Sequence, residues 1–239
     1  MGGNPVATFK FLGLTFSYVN IVSGLLASLV VFLLVFWLSR NLQLKPTGKQ
    51  NVLEWIMDFT NGIVRGSISG DEASNYGLYA FTLFLFIFVS NQMGLFINIE
   101  GPSGDILKSP TADPIVTMTL ALMTVMMAHF SGVSKLGFKE YFKSTYLSPF
   151  KFWLPISVFE EFTNFLTLGL RLFGNIFAGE MLLKTIGGFA FSHGITTVIF
   201  AIPLELLWQG FSVFIGSIQA FVFVTLTTVY ISQKVQPEE

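Results

Sequence analysis

Not one cysteine occurs in the 239 residues, and charge is scarce, with Asp, Glu, Lys and Arg together making up 11%. Without thiols there is no disulfide, no thiolate metal site and no cysteine nucleophile. With so little charge and 52% hydrophobic residues, 28 of them Phe, the chain is too apolar for an ordinary soluble domain. The net charge is −1, and the basic residues sit in short clusters at the ends of apolar runs, so the basic stripe of a nucleic-acid binder is missing. From Met1 to Phe16 no apolar core is followed by a small-residue cleavage site, and no signal peptide is read there. Metal-ligand spacings, a phosphate-cradling glycine loop and a nucleophile arrangement are also lacking. The expectation is a chain that binds no metal or cofactor and makes or breaks no covalent bond.

What is present is a series of long apolar runs. Tyr18 to Ser39 is long enough to cross a hydrocarbon core, which takes about 20 residues, and it ends in Arg40, Lys45 and Lys49. The next segment puts Val52, Ile56, Phe59 and Ile63 against Glu54, Asp58, Asn61 and Arg65, a two-faced pattern that lies on a membrane surface better than it crosses one. Leu78 to Ile97 and Ile115 to Gly132 are further crossings, separated by a Gly/Pro/Asp-rich loop from Asn98 to Pro114. The last two segments, near Phe152 to Ile186 and Ile195 to Ser232, are joined by a loop containing Gly187, Gly188 and His193. Each would exceed about 50 Å as a helix, so both are expected to tilt or bend, with Pro203 as a bend.

The reading is an all-α integral membrane protein forming one membrane domain over 1–239. It has an outer N-terminal segment (1–17), a first crossing (18–39), an interfacial amphipathic helix (51–66), two crossings (78–134) and a strongly tilted hairpin (150–232), five crossings in all. The Arg40–Lys49 and Lys135–Lys151 connections, with Lys234, mark the cytoplasmic side, and Lys10 and Lys108 the other. The N-terminus is therefore expected outside and the C-terminus inside. No internal repeat of the inverted-transporter kind is found.

Within these spans the costly residue is Arg171. A cation at the bilayer centre costs from about 2.5–3.5 kcal/mol on insertion scales to about 10–17 kcal/mol in simulation, and it needs a partner or water. Its helical neighbours Thr167, Leu168, Gly174 and Asn175 are not anions. Glu180 falls about 14 Å along the axis on the opposite face, and Glu160 shares its face about 16 Å away. The counter-charge must come from another helix or from a partner protein.

Glu160, Asn164, Thr167, Arg171 and Asn175 recur at helical spacing and form one polar stripe. Glu205, Gln209, Ser212, Gly216 and Gln219 form a second, continued by Thr227 and Tyr230 beyond Phe223. Two facing stripes of this kind can hold water and pass protons. Taken singly, Ser, Thr, Asn and Gln in such helices more often only bond across helix interfaces. Arg171 is read as functional because no local carboxylate explains it. Glu180 is a usable proton site that could instead pair with Lys184, and Glu205 is evenly balanced. His129 and His193 read as polar caps or loop residues, and Gly169, Gly174 and Gly179 as points of close helix approach.

Leu168-Gly-Leu-Arg-Leu-Phe-Gly-Asn-Ile-Phe-Ala-Gly-Glu180, with Gln219-Ala-Phe-Val-Phe-Val-Thr-Leu-Thr-Thr-Val-Tyr-Ile231, resembles subunit a of the F-type ATP synthase, in its bacterial form. Leu44-Lys-Pro-Thr-Gly-Lys-Gln50 and Pro110-Thr-Ala-Asp113 are also similar to that family. The resemblance implies a membrane stator beside a ring of c subunits whose carboxylates supply the anion for Arg171. It further implies peripheral-stalk b subunits and the rest of the complex as partners, a bacterial plasma membrane, and the proton as translocated ion. On the same basis Asn175, Glu180, Ser212 and Gln219 belong with Arg171 and an outer half-channel, and Glu161 and Tyr230 with an inner one. Some members carry histidine where this chain has Ser212. The competing reading is a stand-alone transporter or channel in which Arg171 binds an anionic solute.

Overall fold

The computed structural model describes residues 8–11, 14–40, 42–45, 48–96, 99–101, 104–147, 152, 154–190 and 195–236. A short antiparallel hairpin, β1 (Thr8–Phe11) with β2 (Leu14–Ser17), leads into α1 (Tyr18–Leu38). Then come α2 (Lys49–Ser67) and α3 (Ala73–Phe96), and a second hairpin of β3 (Ile99–Gly101) and β4 (Gly104–Leu107). A 3-10 turn over Pro110–Ala112 precedes α4 (Pro114–Leu136), α5 (Phe138–Tyr146), α6 (Leu154–Ala190) and α7 (Ile195–Val235).

Five of these helices, α1, α3, α4, α6 and nearly all of α7, are long and apolar enough to cross a membrane. The chain is an all-α integral membrane protein by this measure, and among the described residues its strands amount to two small hairpins outside the spans. In lipid a backbone must satisfy its hydrogen bonds internally, which explains why Gly187 and Gly188, expected in a loop, continue α6 to Ala190. His193 lies outside the described residues. At 37 and 41 residues, α6 and α7 would extend roughly 55 and 60 Å at the helical rise. Pro203 is contained within α7.

The described residues divide into two compact units. The first comprises Met1–Leu34, Leu85–Thr117 and Leu172–Ala220, and the second Val35–Phe84, Met118–Arg171 and Phe221–Glu239. In the first, Ala27 of α1 meets Val89 and Met93 of α3, and Leu26, Val31, Phe86 and Phe88 close around them. The small Ala27 allows the two helices to approach.

In the second unit α2 buries Gln50, Leu53, Thr60 and Val64. Val52 and Phe59, two residues of the apolar face read from the sequence, are exposed, and so is Trp55. An interfacial helix has two apolar neighbours, protein and lipid, and hydrophobic spacing alone does not say which side each residue meets. The C-terminal end of α7 is tied to the end of α2, where Ser232 Oγ donates to Ser67 O at 2.6 Å and the Gln236 amide pairs both ways with the Ser69 backbone. The Lys135–Lys151 stretch, read as a basic connection, contains α5, which buries Tyr141. Gly132 makes room for it, since a Cβ there would sit 2.5 Å from the Tyr141 ring and 2.9 Å from Lys234 O.

Candidate functional site

On α6 the apolar Leu168, Leu172 and Ile176 are buried, and the polar stripe lies beside them on a more open face. Glu160, Thr167 and Asn175 are exposed and Asn164 and Arg171 half-buried. Around the stripe Phe162, Leu170 and Phe177 are exposed as well. Arg171 thus sits in a partly open apolar surface, where desolvation is costly and nothing from its own helix offsets it. Among the described residues no carboxylate lies within ion-pair distance of its guanidinium, the ion pairs being Lys108–Asp113, His129–Glu161, Lys135–Glu72 and Lys234–Glu161. Tyr230 of α7 lies in the field of both Arg171 and Glu161. Of the three glycines, Gly169 is in close approach, with a Cβ there falling 2.6 Å from Met118 Sδ. Gly174, one turn from Arg171, has nothing within 4 Å of such a Cβ.

The first unit holds several polar bonds, one run of which reaches Glu180. Asn175 Nδ2 donates to Gln219 Oε1 at 2.8 Å. Glu180 is buried at 8% exposure and accepts from the Ser109 backbone N–H at 3.3 Å. Ser109 Oγ donates to Ser90 O at 2.8 Å and lies 2.7 Å from Thr111 Oγ1, which donates to Asn91 Oδ1 at 2.7 Å. Asn91 Nδ2 completes the run by donating to Gly216 O at 2.9 Å. Gln209 reaches Leu95 O at 3.0 Å, and the Trp208 indole N–H reaches Gly179 O at 3.2 Å. Gly94 is required beside Glu180, because a side chain there would collide with the carboxylate and with Ser109.

Next to this network lies a cavity of about 120 Å³ whose polar lining is Asn91, Asn175, Glu180, Trp208 and Ser212. A water needs about 10–15 Å³ of such space, so the cavity admits several. Ser90 Oγ, Gln92 Oε1, Ser212 Oγ and Gln219 Nε2 are buried without a protein hydrogen-bond partner among the described residues. Buried polar atoms of this sort are normally satisfied by water. The arrangement can therefore hold a hydrated carboxylate beside hydroxyl and amide groups.

Of the residues singled out from sequence, Asn175, Glu180, Ser212 and Gln219 come together in the first unit. Arg171, Glu161 and Tyr230 belong to the second. Asn164 and Thr167 share the outward stripe of Arg171, and Glu205 is half-buried. Sequence reasoning missed Asn91, Ser109 and Thr111, although paired amides at Asn91-Gln92 in an apolar run were a signal for the first. It also missed Lys234 as the partner of Glu161.

Five long apolar helices, a carboxylate buried in a polar network and an arginine on an open helix face define a multi-pass membrane protein with a polar interior. The chain belongs to the ATP synthase A chain family, whose defining pattern matches residues 21–232. It is 69% identical over 238 residues to "ATP synthase subunit a" of Pediococcus pentosaceus and 58% identical over 238 residues to that of Limosilactobacillus fermentum, each covering 100% of both chains. The Enterococcus hirae protein of the same name is 55% identical over 216 residues, 90% of each chain.

Proposed function

We propose that this chain is the proton-conducting stator of a rotary F-type ATP synthase, with two offset half-channels that lead to carboxylates on a turning ring of c subunits. One observation carries the reading: Arg171 stands on a half-open helix face with no carboxylate of the described chain in reach. A ring carboxylate from another polypeptide would be its anion. Arginine suits the position because it keeps its proton, whereas a desolvated lysine can lose it.

In this reading a permanent cation favours the ionised ring carboxylate and blocks direct leakage between the half-channels. Asn175, Glu180, Ser212 and Gln219 serve the outer half-channel, supported by the polar cavity around Glu180. Glu161 and Tyr230 serve the inner one, supported by the shared field of Arg171 and Glu161 at Tyr230. A proton that crosses the full membrane potential releases about 2.3 kcal/mol per 100 mV, and several such steps drive each ATP made elsewhere in the complex. The chain itself carries no ATP-forming site, and peripheral-stalk b subunits hold it against the torque. The N-terminus lies outside a bacterial plasma membrane and the C-terminus inside. The basic clusters used for that orientation fall in the second unit, and Lys10 and Lys108 in the first.

The test is Arg171→Ala in the assembled complex. Proton-coupled ATP synthesis is expected to vanish while the complex and its soluble ATPase chemistry persist. Normal coupled synthesis, or solute uptake by the purified chain without ring subunits, would overturn the reading.

A further inference from the structure

Four helices of the second unit meet at one polar knot that the two stripes do not include. His129 of α4 hydrogen-bonds through Nδ1 to the Tyr141 hydroxyl of α5, and its ring stacks on Tyr146 with centroids 6.5 Å apart. Its other nitrogen, Nε2, lies 3.7 Å from Oε2 of Glu161 on α6. The second oxygen of that carboxylate is bonded to Lys234 of α7. His129 and Glu161 retain side-chain exposures of 27% and 19%, so the chain itself encloses neither completely.

These contacts divide the labour. The Lys234 ammonium occupies one oxygen of Glu161 and leaves the other facing His129. Imidazole has an ordinary pKa near 6.5 and two nitrogens that act separately. In the tautomer that donates Nδ1–H to the Tyr141 oxygen, Nε2 keeps its lone pair toward Glu161 and can take up a proton through one intervening water. The imidazolium so formed is stabilised by the free oxygen of Glu161, and loss of the proton to solvent restores the start. Burial pushes the Tyr141 phenol well up, so Tyr141 orients the ring without ionising. Burial and Glu161 likewise push up Tyr146.

We propose that His129, held by Tyr141 and facing Glu161, is the proton-exchanging group at the Glu161 end of the conducting path. The inference rests on the proton-conducting reading above. The charged and titratable groups around His129 are Glu161, Lys234, Tyr141 and Tyr146, and Lys135 on its own helix is taken by Glu72 at 2.5 Å. A purely mechanical tie between helices would need only the Lys234–Glu161 pair.

The experiment uses the whole complex in inverted membrane vesicles, with ATP-driven proton pumping and ATP hydrolysis followed between about pH 5.5 and 8. His129→Gln is expected to lower pumping at least about tenfold, as for loss of an acid–base group, and added imidazole to restore a substantial part. Tyr141→Phe keeps the packing and is expected to pump with a displaced pH midpoint. Wild-type pumping by His129→Gln, a loss that imidazole leaves untouched, or an unchanged pH profile for Tyr141→Phe would each overturn the proposal. Arg171→Ala run in parallel separates the two levels. If it pumps normally the stator reading fails, and if it is blocked while His129→Gln pumps normally only the histidine assignment fails.

Discussion

Asn175 and Gln219 are joined side chain to side chain, the Nδ2 of the first donating to the Oε1 of the second across 2.8 Å, and this bond links α6 to α7 within the first unit. Gln219 is 4% exposed and its Nε2 has no protein partner among the described residues, which leaves that donor for water. One residue thus fixes a helix pair and offers a site to a hydrated path.

Replacing Gln219 with Leu removes both functions while keeping the bulk. A hydrogen bond of this kind is worth about 1 kcal/mol, or roughly fivefold in a rate. ATP-driven proton pumping should fall by about that factor or more in a complex that still assembles. Unchanged pumping would reduce the pair to a structural tie.

Glu180→Gln should slow proton flow without uncoupling it from ATP turnover. The amide carbonyl can still accept from the Ser109 N–H, so the local fold is retained and the titrating group is lost. The check is the ratio of protons pumped to ATP hydrolysed together with the absolute rate. A wild-type rate would make Glu180 a structural residue.

Two glycines should behave oppositely when given a methyl group. Gly132→Ala drives a carbon to 2.9 Å from Lys234 O and into the Tyr141 ring, where overpacking costs about 1–3 kcal/mol. Gly174→Ala meets nothing within 4 Å inside the chain, and the isolated subunit should keep its stability or gain up to about 1 kcal/mol from the better helix former. Thermal unfolding of the detergent-purified subunit distinguishes them, and equal midpoints would contradict the packing described.

Tyr141 sets an alkaline limit. Burial raises its phenol above the ordinary value, which is near 10. Once the pH passes about 10 the unfolded chain has lost this proton while the folded chain keeps it, so stability falls as pH rises further. Below that value Tyr141 contributes no pH dependence. Tyr141→Phe should therefore flatten the decline in thermal stability between about pH 10 and 11.

The crossings were legible because twenty apolar residues in a row leave a chain few alternatives. The α5 helix was not, since Lys139, Glu140 and Lys143 dominate nine residues and the aromatic pattern beneath them is short. Gly187 and Gly188 look like loop residues on propensity scales made for water, and a membrane environment overrides that preference. Spacing placed Glu160, Asn164, Thr167, Arg171 and Asn175 on one line, but not on the more open face beside the packed Leu168 and Leu172. The pairing of Glu161 with Lys234 and the placing of His129 beside it join residues up to 105 positions apart, and no local pattern encodes them.

The most direct test is a high-resolution map of the assembled complex centred on Arg171. The account predicts a carboxylate from a ring subunit within about 4–6 Å of the guanidinium, the range over which opposite charges shift each other's ionisation. A guanidinium bound to an acid of its own chain, with no ring surface beside the open face of α6, would contradict it.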